Sequence, residues 1–249
     1  MFSVEEYNKA NEKVIEMIKS THDWENTEGF IADGLIDPEK YSKSKVKIVV
    51  FLAESYGYDE CKIVDIQGDD ILGVGHKDRH TSRKVSFLLW YLNNHINDSQ
   101  PKNMDGLIEK NSDLLQMPES NTKELQEALA MSGWINVKKA SKHIDEFGND
   151  ATRQDYSEIY NSVSRNKNIL LEQIHATNPD LMIICSHPVI NGLCDNEIIK
   201  IKGEREMNKI FFTEDGKRIF FTTHPGYYAD WGYDGIYDMY KTVVKEYPI

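Results

Sequence analysis

Apolar positions along the chain fall into two kinds of run, one with helical spacing and one nearly continuous. Val4, Tyr7, Val14, Ile15 and Ile18 recur near helical spacing, with acids early and Lys19 late as the helix dipole favours, and predict an amphipathic docking helix over about residues 4–19. Asp33-Gly34 and Asp37-Pro38 follow as turn signals. They precede "VKIVVFLA", whose β-branched and almost unbroken apolar character is that of a strand covered on both faces.

Helical period returns in "SRKVSFLLWYLNNHI", residues 82–96, before the polar loop "NDSQPKNMDG". Asn121 with Glu124 fits a capping box ahead of "LQEALAMSG", where Gly133 is the expected helix stop, so about residues 98–132 read as a helical insertion. "GWINV" then predicts a short second strand and residues 155–177 a single helix ended by "TNPD". "LMIICS" is a third buried strand, closed by a turn at His187 and Pro188. "NKIFFTEDGKRIFFTT" predicts a hairpin around Asp215-Gly216, and "YDGIYDMYKTVVKEY" a last helix.

Strands separated by helices require parallel crossovers. No repeat, low-complexity tract or Gly/Ser linker divides the chain, so the expectation is one α/β domain over residues 1–249. Its architecture would be three-layer α/β/α around a central, mainly parallel four-stranded sheet. Function in such sheets gathers beyond the carboxyl ends of the strands, where short loops and helix N-termini converge.

Composition narrows the possibilities. Hydrophobic residues are 40% of the chain and charged residues 28%, the balance of an ordinary globular protein. The longest apolar run is Ile48 to Ala53, against roughly 20 residues for a membrane span. The N-terminus is too acidic for a signal peptide. A soluble, cytoplasmic protein with no membrane partner is expected. Cys61, Cys185 and Cys194 lack the spacing of a zinc site or iron–sulfur cluster, and His76 with His80 finds no third ligand, so neither metal cluster nor cofactor is expected.

Lys and Arg total 29 against 41 acids, a net charge of −12 that repels a phosphate backbone unless cations are concentrated locally. Two such concentrations exist. "HKDRHTSRK", residues 76–84, holds four Lys/Arg against one acid, and "NVKKASKH", residues 136–143, holds three lysines and no acid. Both follow predicted strands. Lys77, Arg79, Arg83, Lys138 and Lys139 are therefore candidate DNA phosphate contacts, although solvated helix starts have the same composition.

The strand ends carry the candidate chemistry in "AESYG", "INVKK", "CSHPV" and "THPGYY". Glu54 ends an apolar strand, where a carboxylate needs a partner or a purpose, and it reads equally as a helix cap or rim charge. Asn136 offers a donor and an acceptor suited to a base edge, or to a structural turn. His224, before Pro225, is either a functional imidazole or the brace of a turn.

Taken in order, an acid after the first strand, an asparagine in the second and a His-Pro-small motif after the last resemble the uracil-DNA glycosylase superfamily. The likeness extends through "FIADGLIDPEKY", "KIVVFLAESYG", "WINVKK", "NPDLMIIC" and "THPGYY", over about residues 30–230. It implies a parallel four-stranded α/β/α sheet and hydrolysis of the N-glycosidic bond of uracil or another modified base in DNA, through a flipped-out nucleotide. Glu54 would hold the carboxylate that orients water and stabilises the sugar cation. One register sets it on the aspartate of GQDPY with Tyr56 shielding the base, the other on the glutamate of GEAPG, and the proline of both patterns is absent. Asn136 would recognise the base and His224 stabilise the departing base anion. Pro225-Gly226 stands where Pro-Ser is usual. Gly226 would let the loop approach phosphate, and Tyr227 or Tyr228 would wedge or stack, while Trp231 and Tyr233 suit helix packing. A non-catalytic relative that binds a nucleotide, nucleic acid or protein partner is the alternative.

Overall fold

Val49 sits inside the sheet, opposite Gly133 on one side and Met182 on the other, and every residue of its strand is buried. The computed structural model describes residues 2–21, 31–53, 61–62, 80–98, 109–111, 114–116, 122–139, 156–225, 231 and 233–245. Among these, one sheet has seven strands: β1 (Gly34–Leu35), β2 (Ile48–Leu52), β3 (Gly133–Asn136), β4 (Leu181–Cys185), β5 (Ile201–Lys202), β6 (Lys209–Thr213) and β7 (Arg218–Thr222). Their spatial order is β1-β3-β2-β4-β7-β6-β5. The four inner strands β3, β2, β4 and β7 are parallel, and β1, β6 and β5 join antiparallel.

The expected parallel four-strand unit is thus the middle of a larger mixed sheet. Two additions, β1 and β5, are two residues each, too short to produce a period. Both inner strands β2 and β4 are buried end to end, which is why they read as unbroken apolar runs.

Alternation along the strands sorts side chains onto two helical layers. Ile48, Val50 and Leu52 pack under α3 (His80–Asp98), α4 (Thr122–Ala130) and α8 (Tyr233–Val244). Val49, Phe51 and Ala53 pack with α5 (Tyr156–Arg165), α6 (Lys167–Thr177) and α7 (His187–Asp195). The N-terminal helix α1 (Val4–Thr21) buries Tyr7, Val14 and Ile18, the last two beside Ile169 of α6. The Tyr7 hydroxyl accepts the Leu35 N–H at 2.7 Å and so fastens this helix to β1. Among the described residues no helix is long and apolar enough to cross a membrane.

Several local expectations change. Asp37 and Pro38 open α2 (Pro38–Lys43), with the Asp37 carboxylate capping the Lys40 N–H at 3.0 Å. Residues 155–177 form two helices rather than one. The break falls at Asn166, whose side-chain amide donates to the Val137 carbonyl at 2.9 Å and ties the kink to the chain beyond β3.

His187 and Pro188 start α7 instead of making a turn, since proline suits a helix's first turn. Gly133 opens β3 instead of stopping a helix. A Cβ there would lie 2.9 Å from Val49 and 3.0 Å from Leu35, so β3 can pack this closely only through a glycine. The stretch expected as a helical insertion holds a short antiparallel ribbon, Glu109–Asn111 with Leu114–Gln116, as well as α4. Glu124 accepts from the Trp90 indole at 2.8 Å; Asn121, its expected capping partner, lies outside the described residues.

Candidate functional site

Three of the four parallel strands bring described polar groups to their carboxyl ends. Beyond β3 the ladder persists, with Val137 N–H donating to Leu52 O at 2.9 Å and Lys138 N–H to Ala53 O at 3.0 Å. Asn136 is therefore held beside the end of β2. Ile135 and Val137 point to the α5–α7 layer, so Asn136 faces the opposite side, the side of Leu52 and α3. Its side chain is 1% exposed, and its amide nitrogen has no hydrogen-bond partner.

What holds Asn136 is Asp33, a residue read from sequence only as part of a turn. One Asp33 carboxylate oxygen accepts the Asn136 backbone N–H; the other accepts Lys139 Nζ at 2.6 Å and Gln173 Nε2 at 2.7 Å. Gln173 also donates to the Asp33 carbonyl at 3.0 Å. Both charged side chains are fully buried. Burial pushes the Lys139 ammonium below its ordinary range, and the Asp33 charge opposes that shift.

This overturns one expectation directly: Lys139 cannot reach a phosphate, because its ammonium is sealed against Asp33 inside the protein. Lys138 is 9% exposed and pairs with Glu158 at 2.6 Å, so its charge too is engaged within the fold.

At the end of β4, Ser186 has φ 126° and ψ 150°, a region glycine tolerates and serine rarely enters. Its N–H donates to Thr222 O at 3.0 Å, which stitches the turn to β7. Ser186 is 6% exposed and its hydroxyl has no partner, although the residue stands at the N-cap of α7. A strained residue with an unsatisfied buried hydroxyl costs stability twice, and such sites are where function is sought.

At the end of β7, the Thr223 hydroxyl is likewise buried and unpartnered, while its carbonyl accepts from the Trp231 indole at 2.9 Å. Trp231 is wholly buried in the core, in keeping with the packing role expected of it. Lys84 from α3 reaches across and donates to Pro225 O at 2.9 Å. His224 is held down to a pKa of about 4, first by burial and then by the nearby Lys84 charge. Its imidazole is therefore neutral at physiological pH. Lys84 itself is lowered by burial.

Asn136 and the Lys84–His224 pair thus belong to the α3 side of the sheet, at its carboxyl end. Three inter-strand spacings separate β3 from β7, about 14 Å at ~4.8 Å each.

Of the other expected site residues, Glu54, Tyr56, Lys77, Arg79, Gly226, Tyr227 and Tyr228 lie outside the described residues. Arg83 lies in α3 and Tyr233 opens α8, but their side chains lie outside the description too. Glu54 directly follows Ala53, the buried residue after β2. Among the described residues, no group of three or more His, Cys, Asp or Glu is placed to hold a metal ion.

Fold and site together define a mixed α/β protein with a polar edge built from the ends of parallel strands. No protein-family model matches the chain, and no curated protein matches it.

Proposed function

We propose that this protein is a monofunctional DNA glycosylase, hydrolysing the N-glycosidic bond of uracil or another modified base presented as a flipped-out nucleotide. The observation that carries the reading is the unpartnered amide nitrogen of buried Asn136, on the same sheet side as a neutral, half-buried His224. An orphaned buried donor is costly unless a ligand completes it, and an amide is matched to the polar edge of a base.

Glycosidic cleavage leaves negative charge on the departing base and positive charge on the sugar. A neutral imidazole can donate to the base carbonyl as that charge develops. The Glu54 carboxylate, following β2, would stabilise the sugar cation and direct water. Extruding the base costs a few kcal/mol, which a matched pocket offsets.

The test is release of free base from single-stranded and duplex oligonucleotides carrying uracil, hypoxanthine or a modified cytosine. Release is expected from at least one of them, with His224→Ala slowing it about 10²–10³-fold, as for loss of one preorganised donor. No release from any substrate by folded protein would overturn the reading.

A second reading is favoured by the internal pairing of Lys138 and Lys139, which removes two cations from the expected phosphate track. A non-catalytic protein of the same kind would bind a small nucleotide at Asn136. It would show a ligand-induced rise in melting temperature that Glu54→Gln leaves unchanged, without turnover.

A further inference from the structure

An open groove of about 440 Å³ runs between α5 and α7, lined by Tyr156, Ser157, Tyr160, Asn161, Pro188 and Asn191. Both helices begin at the carboxyl end of the sheet. Helix α7 follows β4 after one residue, and the first turn of α5 is tied to the end of β3 by the Lys138–Glu158 pair. The groove therefore opens at the same sheet end as Asn136, on the opposite side of the strands.

Its lining specifies a class of occupant. None of the six residues carries a formal charge, so the groove suits a neutral planar group rather than a phosphate. Its volume lies within the range of small-molecule sites, about 300–1,000 Å³. Tyr156 and Tyr160 stand one helical turn apart on one face of α5. The Tyr160 hydroxyl donates to Asp195 at 3.2 Å, which steadies its ring against α7, while Tyr156 is 54% exposed. Arg205 donates to the Asn191 side-chain carbonyl at 3.0 Å, leaving the amide N–H₂ end for an acceptor on a base edge. An exposed ring beside neutral amides is what an unstacked nucleobase binds.

We propose that the α5–α7 groove is a second nucleobase subsite, taking an unpaired base that flanks the nucleotide held at Asn136 and His224, so that the substrate is single-stranded. The proposal rests on the glycosylase reading above. A base within a duplex has both faces stacked and cannot use such a platform. The backbone between the two bases would cross the strand ends, over the positive ends of α5 and α7.

Fluorescence anisotropy with fluorescein-labelled oligothymidylate, alone and annealed to its complement, tests it. The wild-type protein is expected to bind the single strand more tightly than the duplex. Tyr156→Ala should weaken single-strand binding about tenfold, Tyr156→Phe should retain it, and duplex binding should be unaffected by either. Far-UV circular dichroism melts confirm that the exposed site tolerates both changes. Equal affinity of wild type and Tyr156→Ala for the single strand, with base release intact, overturns the subsite alone. Binding to neither form of DNA by the wild type overturns the subsite and the glycosylase reading together.

Discussion

Replacing Asp33 by Asn removes one charge from a buried pair while keeping shape and leaving an acceptor for the Asn136 N–H. The lysine cannot follow suit by moving to water, since its side chain is 0% exposed. Breaking such a pair from one side costs about 3–5 kcal/mol, a large part of a typical stability of about 5–15 kcal/mol.

The loss carries a pH signature. Without Asp33 to oppose burial, the folded-state pKa of Lys139 falls further below its unfolded value of ~10.4. Between those two values the unfolded chain binds more protons, so stability rises with pH, by up to ~1.4 kcal/mol per pH unit. Urea unfolding of wild type and Asp33→Asn from neutral pH up toward the ordinary lysine range reads both effects, because the change in midpoint scales with the free energy.

The gap between the two proteins should narrow toward the alkaline end. Combining Asp33→Asn with Lys139→Met should recover most of the stability, because no unpaired charge remains. A loss below about 1 kcal/mol that does not change with pH would refute the reasoning, by showing that the Lys139 ammonium is solvated after all.

His224 predicts the behaviour toward acid. Its pKa is depressed from 6.5 to about 4, so stability present above 6.5 is lost as pH falls through 4, by about 3 kcal/mol at most. In urea melts His224→Gln should flatten that slope, and an unchanged slope would sink the assignment. Ser186→Gly should raise the thermal midpoint, since relieving a positive φ is worth about 1–3 kcal/mol against the roughly 0.5–1 kcal/mol that glycine costs in chain entropy; a lower midpoint would show that the serine conformation is not strained.

How far the sequence discloses this molecule depends on the range of the interaction. Strands β2 and β4 are legible because helices cover both faces, and the β6–β7 hairpin because Gly216 takes φ 87° at its turn. Asn136 and His224 stand out as polar residues at strand ends. Lys139 could not be placed from its neighbours, because its partner Asp33 lies 106 residues earlier and only the folded sheet brings them together. A lysine-rich segment in isolation reads as solvated charge. The strain at Ser186 leaves no mark in a hydrophobic pattern, and Lys84 is one cation among several until α3 packs against the end of β7. The break at Asn166 is equally silent, since its cause is a carbonyl on another element.

The interior position of β2 also constrains how the chain is made. Its ladders close only against residues 133–136 and 181–185, so during synthesis both edges of an apolar strand wait for chain that has yet to leave the ribosome. At ~5–20 residues per second that wait is on the order of ten seconds. Until then the segment is open to pairing with another nascent copy, and a chaperone that shelters residues 48–52 would raise the yield of native protein more than one acting on the later hairpin.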